Sequence, residues 1–160
     1  MSAQLKLRAA TAADSQVIFE LISELAVYEH EPDAVQTSPH IIQAQLASER
    51  CPFECVIAEH QGAAVGFALF FQNYSTWKGK PGLYLEDLFV RESARKLGVG
   101  KALLRHLGRI AAERDYARME WSVLDWNRLA IDFYEALGAT PMREWTTFRL
   151  SGAALSKLGS

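Results

Sequence analysis

The chain has 160 residues, the length of one domain and enough to bury a core of its own. Hydrophobic residues make up 49% and charged residues 22%, a balance that excludes disordered and fibrous classes. A formal net charge of -2 gives no bulk attraction for nucleic acid, and no apolar run has membrane-spanning length, so a small molecule is the expected partner.

The opening residues MSAQLKLRAATAAD hold no apolar stretch of the signal-peptide kind, and a cytoplasmic location is expected. Leu5 to Arg8 alternates as a short strand does, and Thr11 with Asp14 has the spacing of a helix capping box. Val17, Leu21, Leu25 and Tyr28 then recur at helical spacing, widened by Ile18, Ile22 and Ala26, and predict an amphipathic helix that ends near His30. Its last turn carries Tyr28 and Glu29, which by residue type alone read as a core-edge aromatic and a solvated carboxylate. Ser38 as N-cap and Pro39 at the first helical position predict a second helix through Ile42 and Leu46. Phe53 to Glu59 and Ala64 to Phe71 read as a hairpin turned at Gln61-Gly62. Asn73 to Gly82 is rich in turn residues and reads as a loop whose aromatics pack onto the body.

An apolar strand follows from Tyr84 to Val90, and a helix from Val99 to about Arg114 with Val99, Leu103, Leu107 and Ile110 on one stripe. Arg118 to Leu124 reads as a strand. Asn127 is an N-cap for a helix from Arg128 to Leu137, stopped by Gly138. Thr140 to Leu150 alternates as a final strand or two, and residues from Ser151 read as a frayed end. The order β α α β β β α β α β predicts an α/β layer structure with a sheet between helices, in a single domain over residues 1–160.

Cys51 and Cys55 lack the further ligands a zinc site needs, because His30, His40, His60 and His106 are scattered singly. Reduced thiols and no metal are expected.

The chemistry concentrates between Tyr84 and Leu104, where a strand feeds a helix entered through Gly98 and Gly100. The first N–H groups of a helix have no internal partner, and glycine lets phosphates approach them. Arg95, Lys96 and Lys101 add positive charge. A Walker loop is excluded by Arg95 and Ala102 where Gly and Ser or Thr are required. A dinucleotide fingerprint is excluded by Leu103 where its third glycine belongs. The remaining pattern is R-x-x-G-x-G, either an anion-binding turn or an ordinary glycine-rich helix start.

Glu86 and Asp87 are neighbours on a strand and point to opposite faces. Burying a carboxylate costs several kcal/mol unless it is solvated or hydrogen-bonded, so at least one of them borders a wet cleft. Glu86 is either the candidate base, its pKa raised by partial burial, or a structural carboxylate paired with an Arg or with backbone donors, and Asp87 is read as structural. Tyr134 lies on the apolar side of its predicted helix, either as core or as a phenol that reaches a cleft.

Taken together, YLEDLFV, the R-x-x-G-x-G turn and WN-x-x-A-x-x-FY-x-x-LGA resemble the GNAT acetyltransferase superfamily, in order and at family spacing. Residues 7–30, PFECVIAE, YSTWKGKPGLYLED and VLDWNRLAIDFYEALGA are similar to the diamine N-acetyltransferase subfamily and, within it, the thialysine N-acetyltransferase branch. The resemblance implies a mixed, mostly antiparallel sheet flanked by helices, with a splayed strand pair at the acyl-CoA site. It implies transfer of acetyl from acetyl-CoA to a primary amine of a small diamine or a thialysine-like or lysine-like acceptor, within a ternary complex. Arg95, Lys96, Leu97, Gly98, Val99, Gly100 and Lys101 would hold the pyrophosphate. Leu88, Phe89 and Val90 would pair with the pantetheine arm, and Asn127, Arg128, Leu129 and Ala130 would border the cofactor. Tyr134 would be the acid and Glu86 the base. Tyr28, Glu29, Glu86, Glu120, Trp121, Ser122 and Glu144 would line the amine site, and the enzyme would be a homodimer. A CoA-binding sensor without turnover, or a protein N-acetyltransferase, is the alternative. Ala94 and Lys96 depart from the family pattern around the loop without removing a backbone donor. Ser75-Thr76 stands where polyamine-acetylating relatives carry an acidic residue, which favours a shorter amine.

Overall fold

Alternation at the N-terminus forms the strand it predicts, β1 (Leu5–Ala9), which lies antiparallel to β2 (Glu54–His60). The structure, a computed structural model, describes residues 4–160 and divides them into two compact units, one ending at Ser122 and one running from Val123 to Ser160. In the first unit β3 (Ala63–Ser75) and β4 (Lys80–Val90) continue the antiparallel ladder, and the short β5 (Met119–Glu120) joins β4 in parallel. The sheet order is β1-β2-β3-β4-β5. This is the mixed α/β, mostly antiparallel sheet that was expected. At the hairpin turn Gln61 and Gly62 both take positive φ, 51° and 80°, the twist that two-residue hairpins favour.

Two helices, α1 (Ser15–Tyr28) and α2 (Pro39–Ala47), bury Ile18, Leu21 and Ile42 against Cys55, Ile57, Phe67 and Phe89 of the sheet. Ser38 caps α2 by accepting from the Ile41 amide at 3.2 Å. A third helix, α3 (Val99–Glu113), packs on β2, β3 and β4 through Val99, Leu103, Leu107 and Ala111. Truncating a leucine as buried as Leu103 or Leu107 costs about 2–5 kcal/mol. The entry to α1 is tied to the sheet by charge. Arg8 donates to both Asp14 oxygens at 2.7 and 2.8 Å and to Glu59 at 2.7 Å, and the Thr11 amide donates to Asp14 at 2.7 Å. The Arg8 guanidinium holds the Asp14 carboxyl down at about 2.

Three expectations are corrected in the first unit. The predicted loop Asn73 to Gly82 is mostly ladder: Asn73, Tyr74 and Ser75 pair with Gly82, Pro81 and Lys80, which leaves a turn of four residues, 76–79. Its turn-forming residue types are tolerated because Gly82 makes room for Asn73, whose Oδ1 lies 2.7 Å from where a Cβ would stand. The aromatics of this segment do not pack down, since the turn lies at the end of a hairpin: Trp77 is 89% exposed. The strand predicted from Arg118 to Leu124 is only two residues long, because β4 offers pairing to β5 at Leu83 and Tyr84 alone.

The second unit holds α4 (Arg128–Ala136) and α5 (Gly152–Leu158). Asn127 caps α4, its Oδ1 accepting from the Ala130 amide at 3.3 Å, and Gly138 ends it at φ 94°. Thr140 to Leu150 does not form the expected strands. A strand is held by a neighbour's backbone, and none lies alongside among the described residues of this unit. The expected frayed end is instead α5, favoured by its alanines and leucines and by Lys157 in the last turn. Among the described residues no helix is long and apolar enough to cross a membrane.

Candidate active site

The strand β4 carries an irregularity that no residue pattern announces. Leu69 pairs with Asp87 and Phe70 with Leu85, so Glu86 has no partner across the ladder and forms a β-bulge. A bulge re-aims side chains. Glu86 is exposed, and the partial burial expected for it falls on Asp87 instead. Asp87 stands in register beside Leu69 and Cys55, and burial, Glu86 and Glu29 together push its carboxyl up to about 6. Burial also pushes the neighbouring Cys55 thiol up to about 12, so it is an inert packing group.

After Tyr84 the parallel pairing stops. β5 pairs with β4 only at Leu83 and Tyr84, whereas β4 runs on to Val90, so Leu88, Phe89 and Val90 present a strand edge that β5 does not cover. Of the expected splayed pair, the structure shows this end of pairing, because β5 itself stops at Glu120. On the other side β4 is held close by β3: a Cβ at Gly66 would come within 2.7 Å of the Phe89 carbonyl.

From Val90 the chain passes through a short 3-10 turn (Glu92–Ala94) and enters α3 through residues 95–98. Lys96 and Gly98 both adopt the left-handed conformation, φ 69° and 77°. That alternation curls successive amides into a concavity of the kind that binds anions. Buried Ala94 and Val99 anchor the two ends, while Arg95, Lys96, Leu97 and Gly98 between them are exposed. Gly100 is informative. It does not take a positive φ, and a Cβ there would meet only Val90 Cγ2, at 3.9 Å. The protein's own packing does not require glycine at that position, which leaves the helix start open beside Lys101. The segment therefore fits a diphosphate.

The end of α1 delivers Tyr28 and Glu29 next to this strand. The helix closes in a Schellman turn with His30 left-handed at φ 63°, the His30 amide donating to Val27 and that of Glu31 to Ala26. The Tyr28 ring lies 6.5 Å from that of Phe89, and the Arg95 guanidinium stands over Tyr28 at 4.8 Å. Tyr28 thus packs against a cation and a core aromatic. Burial raises the Glu29 carboxyl, which interacts with Asp87, so it is not the freely solvated group its residue type suggested.

At the end of β5, Glu120 pairs with Arg118 at 3.0 Å and accepts from Asn73 at 3.4 Å, while Ser122 shares a 3.2 Å hydrogen bond with the Tyr84 hydroxyl. Trp121 between them is half-buried. In the second unit Asn127 and Ala130 form the α4 cap. Arg128 pairs with Asp132 at 3.2 Å, Leu129 is exposed, the Tyr134 ring lies 5.6 Å from Phe133, and Glu144 is exposed. The structure thus gathers Tyr28, Glu29, Glu86, Phe89 and Arg95 in the first unit, with Asp87 among them. Asp87 was missed as a functional candidate. The adjacent Glu86-Asp87 pair was its only signal in the sequence, and the bulge that decides which one is buried is a property of pairing.

A five-stranded, mostly antiparallel sheet flanked by helices, whose fourth strand runs into a glycine-entered helix start, is the architecture of a GNAT-type acyltransferase. Residues 16–139 match the acetyltransferase (GNAT) family, and the chain belongs to it as an acetyl-transferring enzyme. The thialysine N-epsilon-acetyltransferase of Bos taurus is 35% identical over 163 residues, covering 95% of each chain. The L-ornithine N5-acetyltransferase of Arabidopsis thaliana is 46% identical over 93 residues, 58% of this chain and 41% of that protein. Among solved structures, an integron cassette protein from the mobile metagenome of V. cholerae aligns over 98% of both chains, with TM-score 0.82 and 27% identity.

Proposed function

We propose that this enzyme transfers acetyl from acetyl-CoA to the primary amine of a small diamine or a thialysine-like or lysine-like acceptor, by direct attack in a ternary complex. The observation that carries this reading is the turn from Lys96 to Lys101, with its left-handed pair and a Gly100 that packing does not demand, at the end of a strand edge that β5 does not cover. In the proposal the amides of residues 96–101, with Arg95 and Lys101, hold the diphosphate. The strand edge of Leu88 to Val90 receives the pantetheine arm and polarises the thioester carbonyl. Acetyl-CoA itself supplies the activated acyl group, and direct transfer needs no metal.

The acceptor arrives as an ammonium whose pKa is near that of lysine, so a base must take a proton before attack. Glu86 is proposed for that step, directly or through water, with Glu29, Tyr28, Glu120, Trp121, Ser122 and Glu144 around the acceptor. Asp87 supports a second reading in which it is the base, since its carboxyl at about 6 is better matched to neutral pH than an ordinary carboxylate. Tyr134 is proposed as the acid that returns a proton to the departing thiolate, and Asn127, Arg128, Leu129 and Ala130 as the cofactor's border. The names of the thialysine and ornithine enzymes, both acting on amino-acid side-chain amines, support a short amine acceptor.

Residues 1–160 are proposed to act as one catalytic domain, in the cytoplasm and as a homodimer. The apolar tail supports the dimer: Trp145 is 66% and Phe148 93% exposed. Release of CoA from acetyl-CoA across thialysine, lysine, ornithine, putrescine, spermidine and a peptide panel tests the acceptor. Turnover of the short amines is expected. Turnover of peptides alone would establish a protein N-acetyltransferase, and binding without turnover a sensor. Tyr134→Phe is expected to lower kcat with little change in acetyl-CoA affinity, and an unchanged kcat removes the acid role.

A further inference from the structure

Arg95 occupies a position that its neighbours suit to a different cation. Its guanidinium stands 4.8 Å from the Tyr28 ring centre and 5.9 Å from that of Phe89, and its Nε donates to the Val90 carbonyl at 3.2 Å. An aromatic face is a seat for a cation, and this one lies on the side of the fold where Glu29 and Asp87 interact. An alkylammonium acceptor suits the same surface, and two cations cannot share it.

The hold on Arg95 is light. The residue is exposed, and among the described residues its side chain makes one carbonyl bond and two ring contacts. It also immediately precedes the left-handed turn at Lys96 and Gly98. A diphosphate seated on that turn offers a guanidinium two-pronged, charge-assisted hydrogen bonds, which are stronger than an exposed cation–ring contact.

We propose that Arg95 is an exchangeable plug on the acceptor seat: the diphosphate of acyl-CoA draws its guanidinium off Tyr28, and the acceptor ammonium then takes the ring face. The proposal rests on the function proposed above and adds to it a coupling between the two substrates. By linkage the coupling is reciprocal, so each substrate tightens the other by the same factor. Arg95 is on this account a positioning residue through which the two substrate sites are coupled.

The test is calorimetric titration of thialysine, and in parallel putrescine, into the full chain with and without saturating CoA, which cannot donate an acetyl group. In the wild type CoA is expected to tighten amine binding about three- to tenfold, the scale of a cation–ring contact relieved. In Arg95→Ala the amine is expected to bind without CoA about as tightly as the loaded wild type binds it, with the coupling factor near one and CoA itself weaker. In Tyr28→Leu, which keeps an apolar group, amine binding is expected to be weak with or without CoA while CoA still binds. Equal amine affinity with and without CoA in the wild type, or coupling that survives in Arg95→Ala, overturns the plug alone. Failure of CoA to bind, or of both amines to bind the loaded protein, overturns the underlying function and the plug with it.

Discussion

Replacing Asp87 by Asn removes a charge that the fold holds at a cost. The carboxyl is displaced from its ordinary value of 3.8 to about 6, first by burial and then by Glu86 and Glu29. A raised carboxylate pKa means that the folded chain binds the proton more tightly than the unfolded chain. The associated stability is therefore fully present below the unfolded value and is lost as pH rises through about 6. Above that pH ionised Asp87 destabilises the fold by up to about 3 kcal/mol, an order-of-magnitude figure from the two values. Asp87→Asn is isosteric and carries no charge at any pH. At pH 8 it is expected to melt roughly 5–10 °C above the wild type, given the usual scaling for a chain of this size. Near pH 4 the difference should shrink towards zero, and the variant should lose activity if Asp87 serves the acceptor. Thermal melts of both proteins from pH 4 to pH 8 measure this. A variant less stable than the wild type at pH 8, or a difference that does not change with pH, would refute the reasoning.

Gly100→Ala is expected to leave the melting temperature unchanged or raise it, because Ala favours a helix by about 0.5–1 kcal/mol and only Val90 is near. Its acetyl-CoA affinity, measured by calorimetry, should nonetheless fall about tenfold or more as the Cβ meets the ligand. Asp14→Ala is expected to cost about 2 kcal/mol in urea unfolding, since it leaves the Thr11 amide and part of the Arg8 guanidinium without partners. The Asp14 carboxyl is lowered to about 2, so its contribution is present above the unfolded value near 3.8 and is lost as pH falls towards 2. The gap between wild type and Asp14→Asn should accordingly be constant above about pH 5 and close below it.

Most elements of the fold were legible because their signals are local. The α1 stripe, the Ser38-Pro39 and Asn127 caps, the Gln61-Gly62 turn and the Gly98 entry to α3 each depend on a few adjacent residues. What failed depends on partners distant in the chain. Asn73 to Gly82 looks like a loop until the opposite strand is in place, and Thr140 to Leu150 alternates like a strand but has no strand beside it in its unit. The candidate site divides in the same way. R-x-x-G-x-G was readable as an anion turn, whereas the bulge at Glu86, the burial of Asp87 and the stacking of Arg95 on Tyr28 follow from register and packing. An adjacent acidic pair in a strand says only that one member needs water. Pairing decided that it is Glu86.

The central claim is that a diphosphate seats on the backbone amides where β4 passes into α3. Amide NMR of the 15N-labelled chain during titration with acetyl-CoA tests it most directly. The largest shift changes and the strongest slowing of hydrogen exchange are expected at Leu97 to Lys101, with a second set at Leu88 to Val90. Saturable binding whose changes lie elsewhere, with these amides unmoved, would contradict it.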